Sequence, residues 1–502
     1  MLDIQRKDLS AGVVGSGTMG RGIIQVLAQC GVRVTVFDAM AGAAEKAKAA
    51  IGQSLARLVE KGRLSQADAD ATTGRIEIAG TLQGLAACHL VVEAIVERLD
   101  AKQALFKALE DVVGESCILA SNTSSLSVTA MAAACRKPGR VIGYHFFNPV
   151  PVMKVVEVVD GVLTEPWVGD ALMALAKRYG HTAVRCQDTP GFIVNHQGRA
   201  YVPESLRILT EGIADPATID RVLCDAAGFR LGPFGLMDLV GLDIAHGVME
   251  SMYAQYYHEP KYKPCYLSPM RVAAGLLGRK TGRGWYEYTK EGQVAMPEQP
   301  VPAAQAASVW VAPDAPALKE LVGKLGATLD AGPAPAAGSL CMVAPLGKDA
   351  TTAAVELGLD ATRTVAVDPL FGFAKRRTLM TTPVTSPEMR DAAHALLAAD
   401  GVPVSRINDS AGFIAQRVVA HVVNVGCDIA QMRIASPADL DRAVVLGLSY
   451  PHGPLAFGDA VGPAKVLAIL AAMNAFYEEP RYRPSPWLKR RAALGVSLLT
   501  AE

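Results

Sequence analysis

Two ionisable residues in the first half of the chain have the types that proton transfer requires. His145 begins the run HFFNPVP, and Glu157 lies in the valine-rich, strand-like run that follows. A carboxylate on a neighbouring apolar strand can orient an imidazole and stabilise the imidazolium formed on proton uptake. A lone histidine is more often an ordinary hydrogen-bonded residue. The pair therefore favours acid–base chemistry more than either residue does.

Two further polar residues are candidates for binding a substrate oxygen. Ser124 lies in the run SNTSSL, directly after an apolar strand-like segment, and Asn195 lies near the start of a predicted helix. The first run equally suits an N-cap for a helix that starts near Ser127. Asn195 by itself is an ordinary polar residue at a helix start. The residues alone leave both interpretations open.

A glycine-rich turn near the N-terminus predicts a dinucleotide-binding loop. Its residues are Gly15, Ser16, Gly17, Thr18, Met19 and Gly20, and they follow a predicted strand directly. The glycines permit a tight turn, close approach of a pyrophosphate and close packing of the next helix, whose positive end faces the phosphates. The spacing alone is equally compatible with an ordinary turn.

Asp38 indicates which nicotinamide cofactor this loop suits. It ends the next predicted strand, where a carboxylate accepts hydrogen bonds from both ribose hydroxyls of the adenosine. The same carboxylate would repel a 2′-phosphate, and the residues after it, AMAG, contain no arginine. NAD is therefore favoured over NADP. The alternative is a solvated acid in a turn.

The segments that carry these residues alternate between strand-like and helical patterns. Short β-branched runs occupy residues 12–14, 33–37, 75–78, 89–94, 118–121 and 141–144. This alternation predicts an α/β fold with a Rossmann-type doubly wound sheet, and it places functional residues at the carboxyl edge. An all-α domain follows, in which Ile193–Leu209 and Leu236–Tyr257 are predicted as long helices.

The helical domain is present twice. The run DTPGFI at Asp188 recurs as DSAGFI at Asp409, and the same offset aligns Asp220 with Asp441. A Pro-, Ala- and Gln-rich stretch predicts a linker. The predicted domains are a Rossmann NAD-binding domain (1–187), a helical domain (188–290), a linker (291–316), a degenerate α/β domain (317–407) and a second helical domain (408–502).

The composition excludes several classes of protein. The 502 residues are 50% hydrophobic, as in a globular chain with large cores. Lys and Arg total 49, as do Asp and Glu, so nucleic acid and anionic membranes are not expected partners. No long apolar run or signal peptide is apparent, and the nine cysteines form no Cys-x-x-Cys pair. We expect a cytoplasmic protein without a metal site.

From Gly15 to Tyr288 the chain resembles the L-3-hydroxyacyl-CoA dehydrogenase family, the hydride-transferring enzymes of β-oxidation-type pathways. The matching runs are GSGTMG, VVEAIVE, SNTSSL, HFFNPVPVMKVVEVV, DTPGFIVN and GRKTGRGWYEY. The resemblance implies NAD-dependent oxidation of (S)-3-hydroxyacyl-CoA to 3-oxoacyl-CoA. With its degenerate second half, the chain is similar to bacterial members that act on 3-hydroxybutyryl-CoA or, in phenylacetate catabolism, on 3-hydroxyadipyl-CoA.

The resemblance also implies roles for the four candidate residues. His145 would accept the hydroxyl proton while hydride leaves the same carbon, and Glu157 would orient that histidine. Ser124 and Asn195 would hydrogen-bond the reacting substrate oxygens. The family usually has an arginine directly after the run DTPGFIVN, whereas in this chain His196 follows. His196 is not expected to be a second base, because adjacent helical residues point about 100° apart.

Five more positions follow from the same resemblance. Glu97, Lys102 and Asn148 would lie along the nicotinamide half of NAD. Ser54 and Lys61, in the helix after the second strand, would contact the CoA nucleotide beside Ser124, with Lys61 pairing with phosphate. A solvated helix face is the alternative for Lys61.

The second half is not expected to form another active site. Gln416 replaces Asn195, no histidine occurs in the run Val365–Pro369, and the run APLG is not a dinucleotide loop. The family dimerises through its helical domain, so the two copies are expected to pack as a pseudo-dimer within one chain, with further homo-oligomerisation left open. A non-catalytic NAD- or CoA-binding protein is the competing hypothesis, which the intact set of four residues disfavours.

Overall fold

A computed structural model describes residues 3–502, which form two compact units. The first unit contains the residues up to His196 together with Met432–Leu448 and Ala501. The second contains Gln197–Gln431, Ser449–Thr500 and Glu502. A segment from the second half of the chain therefore belongs to the unit that the N-terminal part builds.

The strands and helices follow one another along the chain in three segments. The N-terminal segment forms β1 (Ser10–Val14), α1 (Thr18–Gln29), β2 (Arg33–Phe37), α2 (Ala43–Glu60), α3 (Gln66–Gly74), β3 (Ile76–Ile78), β4 (Leu90–Glu93), α4 (Leu99–Glu110), β5 (Ile118–Ser121), α5 (Val128–Ala132), β6 (Val141–Phe146), β7 (Val155–Asp160), α6 (Pro166–Arg178) and β8 (Thr182–Gln187). The next segment forms α7 (Val194–Thr210), α8 (Pro216–Arg221), a π-helical turn (Val222–Ala226), α9 (Pro233–Val240), α10 (Leu242–Gln255), α11 (Leu267–Ala273), β9 (Tyr288–Thr289) and β10 (Gly292–Gln293). The rest of the chain forms β11 (Val309–Val311), α12 (Pro316–Lys324), β12 (Leu340–Val343), α13 (Ala350–Glu356), β13 (Thr364–Val367), β14 (Arg377–Thr381), α14 (Pro387–Leu397), β15 (Val404–Ile407), α15 (Ala415–Gln431), α16 (Pro437–Leu448), α17 (Pro454–Val461), α18 (Pro463–Tyr477) and α19 (Pro486–Leu494).

The first unit is built on an eight-stranded sheet in the order β3-β2-β1-β4-β5-β6-β7-β8. Neighbouring strands are parallel except β6 and β7. Buried β-branched residues such as Val13, Val34 and Val92 form its core. The strand order reverses at β1, which is where open α/β sheets bind ligands. The predicted Rossmann-type fold and its six strands are confirmed.

The second unit contains a smaller sheet in the order β11-β12-β13-β14-β15. Its strands are parallel except β13 and β14, so its order and directions are those of β4–β8. The described part of the chain adds no counterpart of β1–β3 to this sheet, and those strands carry the glycine-rich loop in the first unit. Strand β11 lies inside the predicted linker 291–316, so that prediction is wrong at its C-terminal end.

The predicted helix Leu236–Tyr257 is wrong as a single element. Helix α9 ends at Val240 and α10 begins at Leu242 because Gly241 between them has a φ of 99°, a conformation that glycine adopts without steric cost. Gly462 repeats the break between α17 and α18, with a φ of 100°. The other predicted long helix, Ile193–Leu209, is α7.

Helices of the two copies contact each other inside the second unit. Gln197 of α7 donates from Nε2 to the carbonyl oxygen of Val422 in α15 at 2.9 Å. Glu204 of α7 lies 2.9 Å from Arg417 of α15 and 3.5 Å from Arg481, and all three side chains are buried. The two arginines offset the cost of burying the Glu204 carboxylate.

Among residues 3–502, no single helix is long and apolar enough to cross a bilayer. Helices α17 and α18 meet the length and composition criteria only as a pair, and they are bent by 95°.

Candidate active site

His145 and Glu157 face each other across two adjacent strands. The antiparallel register of β6 and β7 pairs the two residues directly. Nδ1 of His145 lies 2.6 Å from Oε2 of Glu157, with side chains that are 6% and 0% exposed. The rings of Phe147 and Phe192 pack against the imidazole, with centroids 4.4 and 5.7 Å away. The arrangement keeps water away from an imidazole that Glu157 holds at Nδ1.

The second oxygen of Glu157 is bound to the start of α7. Oε1 accepts hydrogen bonds from the amides of Ile193 and Val194 at 3.0 and 2.9 Å. Amides at a helix start are otherwise unpaired and attract a negative charge. The carboxylate is therefore fixed from both sides, by the imidazole at one oxygen and by the helix at the other.

Asn195 and Ser124 are also brought together. Nδ2 of Asn195 lies 3.4 Å from the carbonyl oxygen of Ser124, and both side chains are partly exposed. His196 is fully buried, so it faces away from Asn195 as expected for adjacent helical residues. The N-cap interpretation of the serine run is also right at Ser127, whose hydroxyl accepts from the amide of Ala130 at 3.1 Å. Ser127 thus caps α5, whereas Ser124 contacts Asn195.

Glu97 fixes the loop that carries Ser124. Its Oε1 accepts from the hydroxyls of Thr123 and Ser125 at 2.6 and 3.1 Å and from the amide of Ser124 at 3.0 Å. Partial burial opposes ionisation, but Lys102 and these hydrogen bonds hold the pKa of Glu97 below its ordinary value. The loop is therefore organised around an ionised carboxylate.

Lys102 is buried beneath this loop and bridges two carboxylates. Its Nζ lies 2.6 Å from Glu93 and 3.2 Å from Glu97. Glu93, at the end of β4, also accepts from the hydroxyl of Ser121 at 2.6 Å and from the amide of Ile95 at 2.6 Å. Sequence reasoning missed Glu93. A carboxylate at the carboxyl end of an apolar strand, a short distance before a lysine, is the signal that was present.

Asn122 is a second residue that sequence reasoning missed. Its Oδ1 accepts from the amide of Phe146 at 2.9 Å. The bond connects the loop after β5 to β6, the strand that carries His145. The runs SNTSSL and HFFNPVP are therefore in direct contact.

The glycine-rich loop fits a dinucleotide. A Cβ on Gly15 would collide with the carbonyl oxygen of Ala94, and one on Gly20 with that of Gly15, so neither position admits a larger residue. A Cβ on Gly17 would meet nothing within 4 Å, which leaves the start of α1 open to a phosphate group. These three positions meet the three requirements of the fingerprint.

Asp38 lies beside this loop at the end of β2. Its Oδ2 accepts from the amide and the hydroxyl of Ser16 at 2.7 and 2.6 Å. Partial burial works against ionisation, but the hydrogen bonds from Ser16 and from the amide of Met40 hold the pKa of Asp38 below its ordinary value. An ionised carboxylate is thus held where an adenosine ribose is expected.

The remaining predicted positions lie apart from these contacts. Asn148 is exposed in the turn after β6. Ser54 is partly exposed on α2, and Lys61 is exposed at the C-terminal end of that helix. Among residues 3–502, no group of three or more His, Cys, Asp or Glu side chains is arranged to hold a metal ion.

Comparisons with known proteins show the family of the chain. A family model for the NAD-binding domain of 3-hydroxyacyl-CoA dehydrogenase matches residues 10–189, and the model for its C-terminal domain matches 191–288 and 412–497. The chain belongs to the 3-hydroxyacyl-CoA dehydrogenase family. The 3-hydroxyadipyl-CoA dehydrogenase of Escherichia coli K12 is 36% identical over 495 residues, 98% of each chain.

Two solved structures of the family are also similar. A 3-hydroxybutyryl-CoA dehydrogenase from Escherichia coli K12 superimposes with a TM-score of 0.85 at 34% identity, covering 97% of this chain and 99% of that one. An (S)-3-hydroxybutyryl-CoA dehydrogenase from Ralstonia eutropha has a TM-score of 0.55 at 41% identity, covering 56% and 99%. The predicted family, NAD-dependent 3-hydroxyacyl-CoA dehydrogenase activity and NAD cofactor are confirmed.

The corresponding place in the second, smaller sheet has a different set of side chains. The amide of Asp368 donates to the carbonyl of Thr378 across β13 and β14, which puts these residues where the first sheet has His145 and Glu157. Gln416 donates to Asp368 at 2.9 Å and accepts from the amide of Gly347 at 2.7 Å. Burial raises the pKa of Asp368 to about 6. Gln416 thus contacts the loop after β12, as Asn195 contacts the loop after β5 in the first sheet.

Proposed function

We propose that His145 is the general base in the oxidation of an (S)-3-hydroxyacyl-CoA to a 3-oxoacyl-CoA. The 2.6 Å contact between Nδ1 of His145 and Glu157 carries this proposal. When Nδ1 donates to the carboxylate, Nε2 has a free lone pair for the substrate hydroxyl proton. The buried negative charge of Glu157 then stabilises the imidazolium. Bound NAD supplies the acceptor for the hydride.

Ser124 and Asn195 would hold the substrate oxygen at His145. Both side chains are partly exposed, and the contact of Asn195 with the Ser124 carbonyl aligns them. Each hydrogen bond to a reacting oxygen is typically worth a few kcal/mol of barrier. Loss of either residue would therefore affect turnover more than binding of NAD.

The cofactor would bind along the carboxyl edge of the sheet. The pyrophosphate would lie over Gly15, Ser16, Gly17, Thr18, Met19 and Gly20, with Asp38 at the adenosine ribose. Glu97, Lys102 and Asn148 would lie near the nicotinamide half. Of these, the buried Lys102 would act through Glu97, since its Nζ is already bound by two carboxylates.

The CoA nucleotide would bind on α2. Ser54 and Lys61 are two helical turns apart and so lie on one face of that region, and the exposed Arg57 and Arg63 add positive charge beside them. A local basic patch suits the highly charged CoA in a chain of zero net charge.

The acyl group is proposed to be short or dicarboxylic. This follows from similarity over nearly the whole chain to proteins named as acting on 3-hydroxyadipyl-CoA and 3-hydroxybutyryl-CoA. Steady-state kinetics across acyl-CoAs of graded length, each with and without a terminal carboxylate, would test it. A preference for long unbranched chains would contradict this choice.

We further infer that the two helical domains, 188–290 and 408–502, form an intrachain pseudo-dimer. The buried contacts of Glu204 with Arg417 and Arg481 support this. Small-angle scattering of a fragment ending at Thr289 is expected to show dimers, whereas the full chain is not expected to pair through the same surface. An unchanged association state would reject the idea.

A cytoplasmic location is also proposed. Each of the nine cysteines is present as a free thiol, which suits a reducing compartment.

Consumption of NADH on addition of acetoacetyl-CoA tests the proposed function as a whole. The reverse reaction should deplete NADH absorbance at a rate proportional to enzyme concentration. Absence of consumption, with NAD still bound, would favour the non-catalytic alternative.

A further inference from the structure

The last turn of α16 packs against the start of α7 within the first unit. A Cβ placed on Gly447 would lie 2.9 Å from Cγ2 and 3.0 Å from Cγ1 of Val194. Val194 is buried, and its branched Cβ leaves it few other rotamers. Glycine is a poor helix former. Its presence in this helix is therefore explained by the close approach that it permits.

The other end of the same segment is fixed to the sheet. The amide of Gln187, at the end of β8, donates to the carbonyl of Ile434 at 2.9 Å, and Cys186 pairs with Ala435 as an isolated bridge. Helix α16 then packs along β7 and β8. A helix of the second copy thus lies against the strand that carries Glu157.

Val194 connects this packing to the acid–base pair. Its amide donates to Oε1 of Glu157 at 2.9 Å, while Oε2 of that carboxylate lies 2.6 Å from His145. Asn195 is the next residue along the chain. Displacement of Val194 by less than an ångström would therefore move the support of His145 and the position of Asn195 together.

The positions that the repeat makes equivalent to Gly447 and Val194 have different residues. The offset that aligns Asp188 with Asp409 also aligns Ala226 with Gly447 and Val194 with Ala415. The π-helical turn that ends at Ala226 contacts α15, which begins at Ala415. The glycine–valine combination thus occurs beside the site with His145 and Glu157, and the alanine combination occupies the equivalent positions beside the site where Gln416 replaces Asn195.

We propose that Gly447 is a positioning residue for His145, Glu157 and Asn195, and that α16 of the second copy supports the active site of the first. The proposal rests on the proposed function, since it assigns Gly447 an effect on those three residues. The second copy then contributes to catalysis without reactive residues of its own.

The test uses the full-length Gly447→Ala variant. A displaced reacting group can cost up to about a hundredfold in rate, and we expect the hydride-transfer rate constant to fall about tenfold. The Gly447→Ala/Val194→Ala double variant recreates the alanine combination and is expected to recover most of that loss. Gly247→Ala is the matched control, because Gly247 lies in α10 with open space where its Cβ would be.

Single-turnover kinetics with NADH and acetoacetyl-CoA separate positioning from folding. Partial misfolding lowers the amplitude of the NADH signal, whereas a displaced His145, which donates the proton in this direction, lowers its rate constant. KM for NADH is expected to be unchanged in Gly447→Ala, because the dinucleotide loop lies on β1 and α1. A thermal unfolding curve measured on each variant reports its folding.

An unchanged rate constant in folded Gly447→Ala would overturn the proposal, and so would a double variant that recovers nothing. If Gly447→Ala does not fold, Val194→Ala carries the test, since it removes the contacted methyl groups without a clash. The rate constant of Val194→Ala should fall about threefold, because His145 and Asn195 are then positioned less firmly. An unchanged rate constant would overturn the proposal. Wild-type enzyme that turns over no 3-hydroxyacyl-CoA would overturn the proposed function instead.

Discussion

Nδ1 of His145 lies 2.6 Å from Oε2 of Glu157 across two antiparallel strands. This contact determines which ring nitrogen is available, because a donated Nδ1 hydrogen leaves Nε2 as the acceptor. The carboxylate cannot rotate freely, since its other oxygen is bound by two amides at the start of α7.

Replacing His145 by Gln should remove turnover while NAD still binds. General acid–base catalysis typically contributes about 10²- to 10⁴-fold, so kcat is expected to fall by about that factor. Isothermal titration should give an unchanged affinity for NAD. His89→Gln is the control, because His89 directly precedes β4 and so lies at the opposite end of the strands from the carboxyl edge. A near-normal rate in His145→Gln would exclude this residue as the base.

Changing Asp38 to Gly and Ala39 to Arg should shift cofactor preference toward NADPH. The carboxylate that repels a 2′-phosphate is lost, and a guanidinium that binds one is gained. One hydrogen bond to a charged group is worth about 1.5–3 kcal/mol, so the ratio of kcat/KM for NADPH to NADH should rise at least about tenfold. Ala39→Arg alone, with Asp38 retained, should shift it less. An unaltered ratio would mean that the ribose is recognised elsewhere.

Replacing Arg417 by Met should destabilise the protein. The change removes the 2.9 Å ion pair and leaves the buried Glu204 with Arg481 at 3.5 Å. Removing one member of a buried ion pair costs about 3–5 kcal/mol of unfolding free energy. Urea denaturation followed by circular dichroism measures this cost. The Arg417→Met/Glu204→Met variant should recover much of it, and an additive loss would show that the pair is not coupled.

His421 should make the protein less stable in mild acid. Burial, opposed in part by Glu204, lowers the pKa of His421 to about 3, so the unfolded chain binds this proton more readily than the folded chain. The contribution of neutral His421 to the free energy of unfolding is fully present above about pH 6.5. It is lost as the pH falls toward 3. Each proton taken up on unfolding contributes a slope of about 1.4 kcal/mol per pH unit.

The His421→Gln variant isolates that contribution. Glutamine keeps a donor for the Lys261 carbonyl, which lies 3.3 Å from Nε2 of His421, but does not titrate. Denaturation midpoints between pH 4.5 and 6.5 should therefore vary less in the variant. Burial raises the pKa of Glu204, but the charge of Arg417 outweighs it and lowers this pKa to about 2. The contribution of Glu204 to the free energy of unfolding is therefore lost only below about pH 4.5. Equal slopes in both proteins between pH 4.5 and 6.5 would contradict the assignment.

The features that were predictable from the sequence are those that depend on residues close together in the chain. The glycine-rich loop, Asp38 at the end of β2 and the six strands follow from local spacing. His145 and Glu157 were recognised as a pair because a short connection between β6 and β7 brings them opposite each other. Glu93 was missed because its partners, Lys102 and Ser121, lie on different elements, and its position shortly before a lysine was the only local signal.

By itself, the sequence determined the cofactor loop, the repeat of the helical domain and the residues capable of proton transfer. These depend on residue type and on periods that the backbone imposes locally. Only the tertiary structure decided that the second sheet repeats β4–β8 and that α16 lies against β7 and Val194. Both depend on contacts between segments that are apart in the chain, and at α16 the absence of a Cβ on Gly447 permits the close approach to Val194.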